Sequence, residues 1–159
     1  MDAGASGRNA HGMAATVLCG VDWRDESRIA VRVARQLSER LGSRLVLVHV
    51  APTPIMPTVS VIPGGQAELA VREQRDAEEL LAEVATSERL GGGVERRVTF
   101  GDPAEQLAEL AAEERAELVV VTSRGRHGLR AALLGSVSTR LAATAPCPVV
   151  IVPARLERA

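Results

Sequence analysis

Five short apolar runs punctuate the chain, each separated from the next by a stretch with helical periodicity. Thr16–Val21 (TVLCGV), Leu45–Val50 (LVLVHV), Leu118–Val121 (LVVV) and Val149–Val152 (VVIV) are near-continuous and rich in β-branched residues. Strands of that kind are buried on both faces, as in a parallel sheet between helices. The remaining run, Val94–Thr99 (VERRVT), carries charges and suits a sheet edge. In Glu26–Leu41, Ile29, Val33, Leu37 and Leu41 recur every fourth position, with Arg28, Arg32, Arg35 and Glu39 pointing away and Gly42 as a stop. Gln66–Leu90 reads as a longer helix with Ala77, Leu80, Leu81 and Val84 inward, closed by Gly91-Gly92-Gly93. Asp102-Pro103-Ala104-Glu105 is a helix start: a capping Asp, Pro at the first helical position, Glu three after the cap. Leu107, Leu110 and Ala111 carry that helix's apolar stripe, and a last helix spans Ser136–Thr144 before Pro146 and Pro148.

The alternation of strand and helix predicts an α/β domain with right-handed crossovers in one five-stranded parallel sheet and helices on both faces. Placing the polar third strand at an edge gives the order 3-2-1-4-5. The first and fourth strands are then neighbours whose connections leave in opposite directions, and their carboxyl ends form the crevice where such sheets bind ligands. The Pro-rich segment Ala51–Gly65 lies near that crevice. The fifth strand, Val149–Val152, is apolar yet sits at an edge, which invites pairing with a second copy and predicts a homodimer.

Composition narrows the function. Hydrophobic residues make up 46% and charged residues 25%, and 19 basic against 20 acidic residues leave a net charge of −1, so no overall field draws the chain to nucleic acid or a membrane surface. Every basic residue is arginine; with no lysine, Schiff-base and P-loop lysine chemistry are excluded. Trp23 and Phe100 are the only aromatics, too few for a base-stacking nucleic-acid surface. Cys19 and Cys147 read as small buried hydrophobes. Residues 1–13 read as a disordered tail without signal-peptide character, 14–154 as the domain and 155–159 as a second tail. No run approaches a membrane span, and the expected location is cytoplasmic.

The stretch from Thr122 to Ser138 carries the chemistry. It leaves the fourth strand, passes Gly125 and Gly128, and reaches Gly135-Ser136-Val137-Ser138 at a helix start. Free backbone N–H groups, the positive end of the helix dipole and two hydroxyls would converge there, with Arg124, Arg126 and Arg130 in the same loop. That suits a phosphate. The alternative is a solvated Arg-rich turn. No G-x-G-x-x-G follows the first strand, and a Walker A loop would need the missing lysine.

These residues resemble the universal stress proteins of the single-domain bacterial and archaeal kind. The family's nucleotide motif is Gly, two residues, Gly, nine residues, then Gly-Ser or Gly-Thr; Gly125, Arg126–Leu134 and Gly135-Ser136 match its second part. CGVDWRDES and GSVSTRLAATAPCPVVIVP are also similar to the family, and the likeness covers Ala15–Pro153. It implies an ATP site, with Mg²⁺ possible. Asp22, preceded by Gly20 and Val21, would meet the ribose or base, and Val50 the adenine. Gly125, Gly135, Ser136, Val137 and Ser138 would lie under the triphosphate with Arg124 beside it, and Val121 and Thr122 would belong to the same binding site. The role implied is a nucleotide-dependent regulatory dimer in a stress response.

The motif's first glycine falls on Thr122. Where a positive φ is required, a β-branched residue strains the backbone by roughly 1–3 kcal/mol. Against micromolar binding of about −8 kcal/mol, that would weaken affinity to roughly tens or hundreds of micromolar. Where the glycine makes only a β-type turn, Thr122 costs nothing. A rival reading is therefore a dimeric interaction module with a vestigial site and an unknown protein partner.

Other residues have plainer readings. His49 alternates within a buried strand as a core histidine, His127 is a loop residue or a phosphate contact, and His11 lies in the tail. Asp22 could instead form a turn, and Asp25 caps a helix. Glu109, Glu113, Glu114 and Glu117 form a solvated face. Trp23 shields a base or packs on its loop. No nucleophile–base–orienter set is present, so catalysis is limited to slow ATP hydrolysis or autophosphorylation at Ser136.

Overall fold

The computed structural model describes residues 15–53, 65–123 and 135–154. The elements run β1 (Thr16–Gly20), α1 (Ser27–Leu41), β2 (Arg44–Ala51), α2 (Gly65–Ser87), β3 (Glu95–Phe100), α3 (Pro103–Glu113), β4 (Leu118–Thr122), α4 (Ser136–Thr144) and β5 (Val149–Val152). All strand pairs are parallel, in the order β3-β2-β1-β4-β5. The order derived from chain polarity is the order observed.

The sheet divides the core in two. On one face Val17, Cys19 and Leu47 pack with Ile29, Ala30 and Ala34 of α1 and Leu81 and Val84 of α2. On the other, Leu18, Val46 and Val119 pack with Ala104 and Leu107 of α3 and Leu141 of α4. The β-branched runs occur where both sides of a strand must be filled, which is why they read as nearly unbroken.

The buried face of α1 differs from the expected stripe. Ile29, Ala30, Val31, Ala34 and Ser38 are buried, Val33 and Leu37 half-buried, and Leu41 is exposed. A strict fourfold repeat drifts about 40° per step on a 3.6-residue helix, so Leu41 has rotated off the face that Ile29 starts. Nor do the arginines point away. Arg28 reaches Glu83 at 2.7 Å and Arg32 reaches Glu88 at 2.9 Å, while Arg35 donates to the Glu88 carbonyl at 3.3 Å. They tie α1 to its neighbour α2.

Three helices end alike. Gly42 (φ 64°), Arg89 (φ 52°) and Arg115 (φ 49°) take left-handed backbone. The next residues, Ser43, Leu90 and Ala116, donate to the carbonyls of Ser38, Ala85 and Ala111 at 2.9 Å. That is the Schellman closure. The close of α2 thus falls on Arg89, ahead of the glycine run expected to end it.

At the amino ends of the strands, Arg44 binds Thr16 Oγ1 at 2.9 Å, Glu95 at 2.7 Å and Glu114, and Arg97 pairs with Glu114 at 2.9 Å. Glu117 accepts the Ser43 hydroxyl at 2.6 Å. Glu109 and Glu113 are exposed as expected, but Glu114 is 15% exposed and bound into this network. The acidic run is therefore not one solvated face. Cys19 is buried as expected, and burial pushes its thiol well above the usual range; Cys147 is only half-buried. No described helix is long and apolar enough to cross a membrane.

Candidate functional site

The carboxyl ends of β1, β2 and β4 open into a cavity of about 100 Å³ that is continuous with solvent. Gly20, Val21 and Asp22 form one wall; Val48, His49 and Val50 a second; Val121 and Thr122 a third. Pro103 and Leu107 of α3, with Val137 and Ser138 of α4, complete it. This is the crevice beside the point where chain direction reverses.

Local chemistry places each of these groups. After β1 the chain makes a turn in which Asp22 Oδ1 accepts the Arg24 N–H at 3.0 Å. The Ser27 hydroxyl donates to the carbonyls of Asp22 (3.1 Å) and Arg24 (2.8 Å), pinning the turn to the start of α1. Asp22 is both a turn former and a cavity residue, and its Oδ2 makes no hydrogen bond among the described residues. Asp25 does not cap α1: the cap position is Glu26, without a side-chain bond, and Asp25 lies 3.6 Å from Arg28.

Gly20 has a packing reason. A Cβ there would lie 3.1 Å from Val121 Cγ1 and 3.2 Å from Leu107 Cδ1, tighter than side chains normally pack. His49 is buried and donates from Nδ1 to the Val21 carbonyl at 2.8 Å, so it holds β2 against the end of β1. Trp23 stands edge-on to His49 at 5.4 Å between ring centroids and is otherwise exposed.

Thr122 lies within β4, paired with Val152, and is not among the residues with positive φ. The strain considered from the sequence is absent, because the backbone there is extended. At α4, Gly135 occupies the cap position with φ −61° and ψ 159°, and no side chain among the described residues caps it. The first bond of the helix, Thr139 N–H to Gly135 O, is 3.0 Å. The amides of Ser136, Val137 and Ser138 precede it without intrahelical acceptors. The two hydroxyls do not converge: Ser138 is buried and donates to the Gly135 carbonyl at 3.0 Å, whereas Ser136 is exposed. At α3 the contrast is complete. Asp102 Oδ1 accepts the N–H groups of Ala104 and Glu105, both at 3.1 Å.

The cavity thus gathers Gly20, Val21, Asp22, Val50, Val121, Thr122, Val137 and Ser138 from the residues singled out in the sequence. Gly135 and Ser136 stand beside it, at the start of α4. Arg124, Gly125, Arg126, His127, Gly128 and Arg130 lie outside the described residues, as do His11 and residues 54–64. Sequence reasoning missed Pro103 and Leu107 as walls. Their signal was present: the strong helix start at Asp102 aims the first turn of α3 at the same crevice. Among the described residues, no group of three or more His, Cys, Asp or Glu side chains could hold a metal ion.

Residues 13–153 match the family model of the universal stress proteins. The chain belongs to the universal stress protein family. A universal stress protein of Thermus aquaticus is 34% identical over 140 residues, covering 86% of this chain and 97% of the relative. A universal stress protein of Mycolicibacterium smegmatis is 36% identical over 159 residues, covering 92% of this chain, which spans about half (48%) of that longer relative. Among solved structures, a universal stress protein in complex with cAMP superposes with a TM-score of 0.67 at 27% identity, covering 87% of this chain and 97% of the other. In this universal stress protein the crevice lies at the carboxyl ends of the neighbouring strands β1 and β4, with β2 beside them.

Proposed function

We propose that the protein binds an adenine nucleotide, ATP accompanied by Mg²⁺ foremost, in the crevice between β1 and β4. Two copies joined along β5 would then report nucleotide state in a stress response. The observation that carries this reading is one cavity where three features meet: an Asp22 carboxylate oxygen without a hydrogen bond among the described residues, apolar walls from Val50, Val121 and Leu107, and a helix start that no described side chain caps. The apolar walls suit the faces of a purine. Asp22 Oδ2 suits ribose hydroxyls, which donate to a carboxylate, and the α4 amides suit a phosphate. The cAMP-bound relative supports an adenine nucleotide as the ligand.

A second reading is a protein-interaction module with an unused site, and the observation favouring it is the Thr122 side chain in the cavity wall. Calorimetric titration with Mg·ATP, AMP and cAMP separates the two. Saturation near one ligand per chain is expected, weakened roughly ten- to hundredfold by Asp22→Ala, the usual worth of a hydrogen bond to a charged group. Gly135→Val should weaken phosphorylated ligands without unfolding the chain, because a φ of −61° is open to any residue. No heat with any of the three at millimolar concentration, from folded protein, overturns the nucleotide reading.

A further inference from the structure

Behind the cavity walls lies a charge cluster that joins α3 to α4. Asp102 immediately precedes the wall residue Pro103, and Arg140 stands two residues beyond the wall residue Ser138. Asp102 uses its two oxygens differently. Oδ1 caps α3, while Oδ2 accepts from Arg140 Nη1 at 2.7 Å. Arg140 Nη2 donates to Glu105 Oε1 at 3.2 Å, so a single guanidinium serves both carboxylates of the first turn of α3. The pairing is felt by both partners. The Glu105 N–H and then the Arg140 cation hold the Asp102 carboxyl below its usual range, and Asp102 raises Arg140.

Such a cluster is weak as a brace, because its members are largely exposed and surface ion pairs contribute little to folding. Its position gives it a different consequence. Asp102 adjoins the wall residue Pro103 and Glu105 stands two residues beyond it, close enough along the chain for a negative charge to oppose an incoming phosphate within about one Debye length. Arg140, on α4, offsets one of these two charges.

We propose that Arg140 determines how well the cavity accepts phosphate-bearing ligands, by offsetting one of the two negative charges that Asp102 and Glu105 place beside it. Arg140 is a specificity-determining residue acting through charge, without touching the ligand. The inference rests on the adenine-nucleotide reading above and adds to it that the site's preference between a nucleotide and its nucleoside is set from outside the cavity. Replacing Arg140 with a neutral residue makes the cluster one unit more negative. That change weakens an anionic ligand by roughly three- to tenfold and leaves a neutral one nearly unchanged.

The test is the ratio of AMP to adenosine affinity, measured by calorimetry on the full chain. Arg140→Gln should weaken AMP by roughly three- to tenfold and leave adenosine within about twofold, whereas Arg140→Lys keeps the wild-type ratio. Glu105→Gln in the Arg140→Gln background should recover most of the loss. Glu105→Gln alone, a change on an exposed side chain, should favour AMP. Raising salt from about 0.1 M to about 1 M, where the Debye length falls from about 10 to about 3 Å, should close the gap between Arg140→Gln and wild type. A displacement of α4 would survive salt. The inference is overturned where AMP and adenosine weaken together, where the loss persists at high salt, or where neither Arg140→Gln nor Glu105→Gln shifts the ratio. Wild-type protein that binds neither ligand overturns the nucleotide reading, and this inference with it.

Discussion

Thr122 turns on a single backbone angle. A residue that replaces glycine is strained only where φ is positive, and Thr122 continues the extended backbone of β4 opposite Val152. Restoring glycine therefore relieves nothing. Thr122→Gly should lower stability by roughly 0.5–1 kcal/mol, the usual cost of glycine inside a strand, as read from urea unfolding. A gain in stability would show that the threonine is strained after all. The sequence could name this position but not its φ, because the same letters fit a strand end and a tight turn. Gly20 was legible in the opposite sense. Its place before Asp22 marked it, but its reason, the Val121 and Leu107 side chains crowding its α-carbon, comes from elements about ninety and a hundred residues away and is invisible along the chain.

At the scale of elements, legibility followed local chemistry. The start of α3 was fully written in Asp102-Pro103-Ala104-Glu105, and the structure shows the capping bonds that pattern implies. The ends of α2 and α3 were not. Left-handed arginines at 89 and 115 carry no sequence signal, since that conformation costs an L-residue about 1–2 kcal/mol and is imposed by the Schellman closure around it. The drift of the α1 stripe and the engagement of Arg28 and Arg32 with α2 likewise depend on how two helices lie together on one face.

The cap at Asp102 has a pH signature. The Glu105 N–H and Arg140 hold its carboxyl below the ordinary 3.8, so the folded state binds its proton less readily than the unfolded chain. The stability it contributes is fully present above that ordinary value and is lost as pH falls through the lower, folded value. Thermal unfolding of wild type against Asp102→Ala should show a gap that is constant near neutral pH and narrows only below about pH 3.8. A gap that narrows at higher pH would place the effect on another group.

Across the whole molecule the parallel order followed from alternation and polarity alone: charged β3 at one edge, apolar β5 at the other. The backbone of β5 divides its groups. The carbonyls of Pro148 and Val152 accept from Val119 of β4 and from Ser123 just after it, so the alternate residues Val149 and Ile151 turn their N–H and C=O groups outward. If two copies join along β5, Ile151→Pro removes an outward donor while sparing the β4 ladder. Light scattering at micromolar concentration should then give the mass of two chains for wild type and of one for Ile151→Pro. A wild-type mass of one chain rules the assembly out.

The two edges of the sheet also differ as surfaces for growth. β5 ends the sheet in Val149, Val150 and Ile151, half-buried and uncharged, while β3 ends it in Glu95, Arg96 and Arg97. A sheet with sticky borders on both sides is divalent, and copies of it can add one after another without limit. This one is monovalent. Once its apolar border is covered, only a charged border remains to meet the next copy, and charge on an edge strand discourages further pairing. The charges of β3 are thus the feature of this sheet that disfavours open-ended growth from that border.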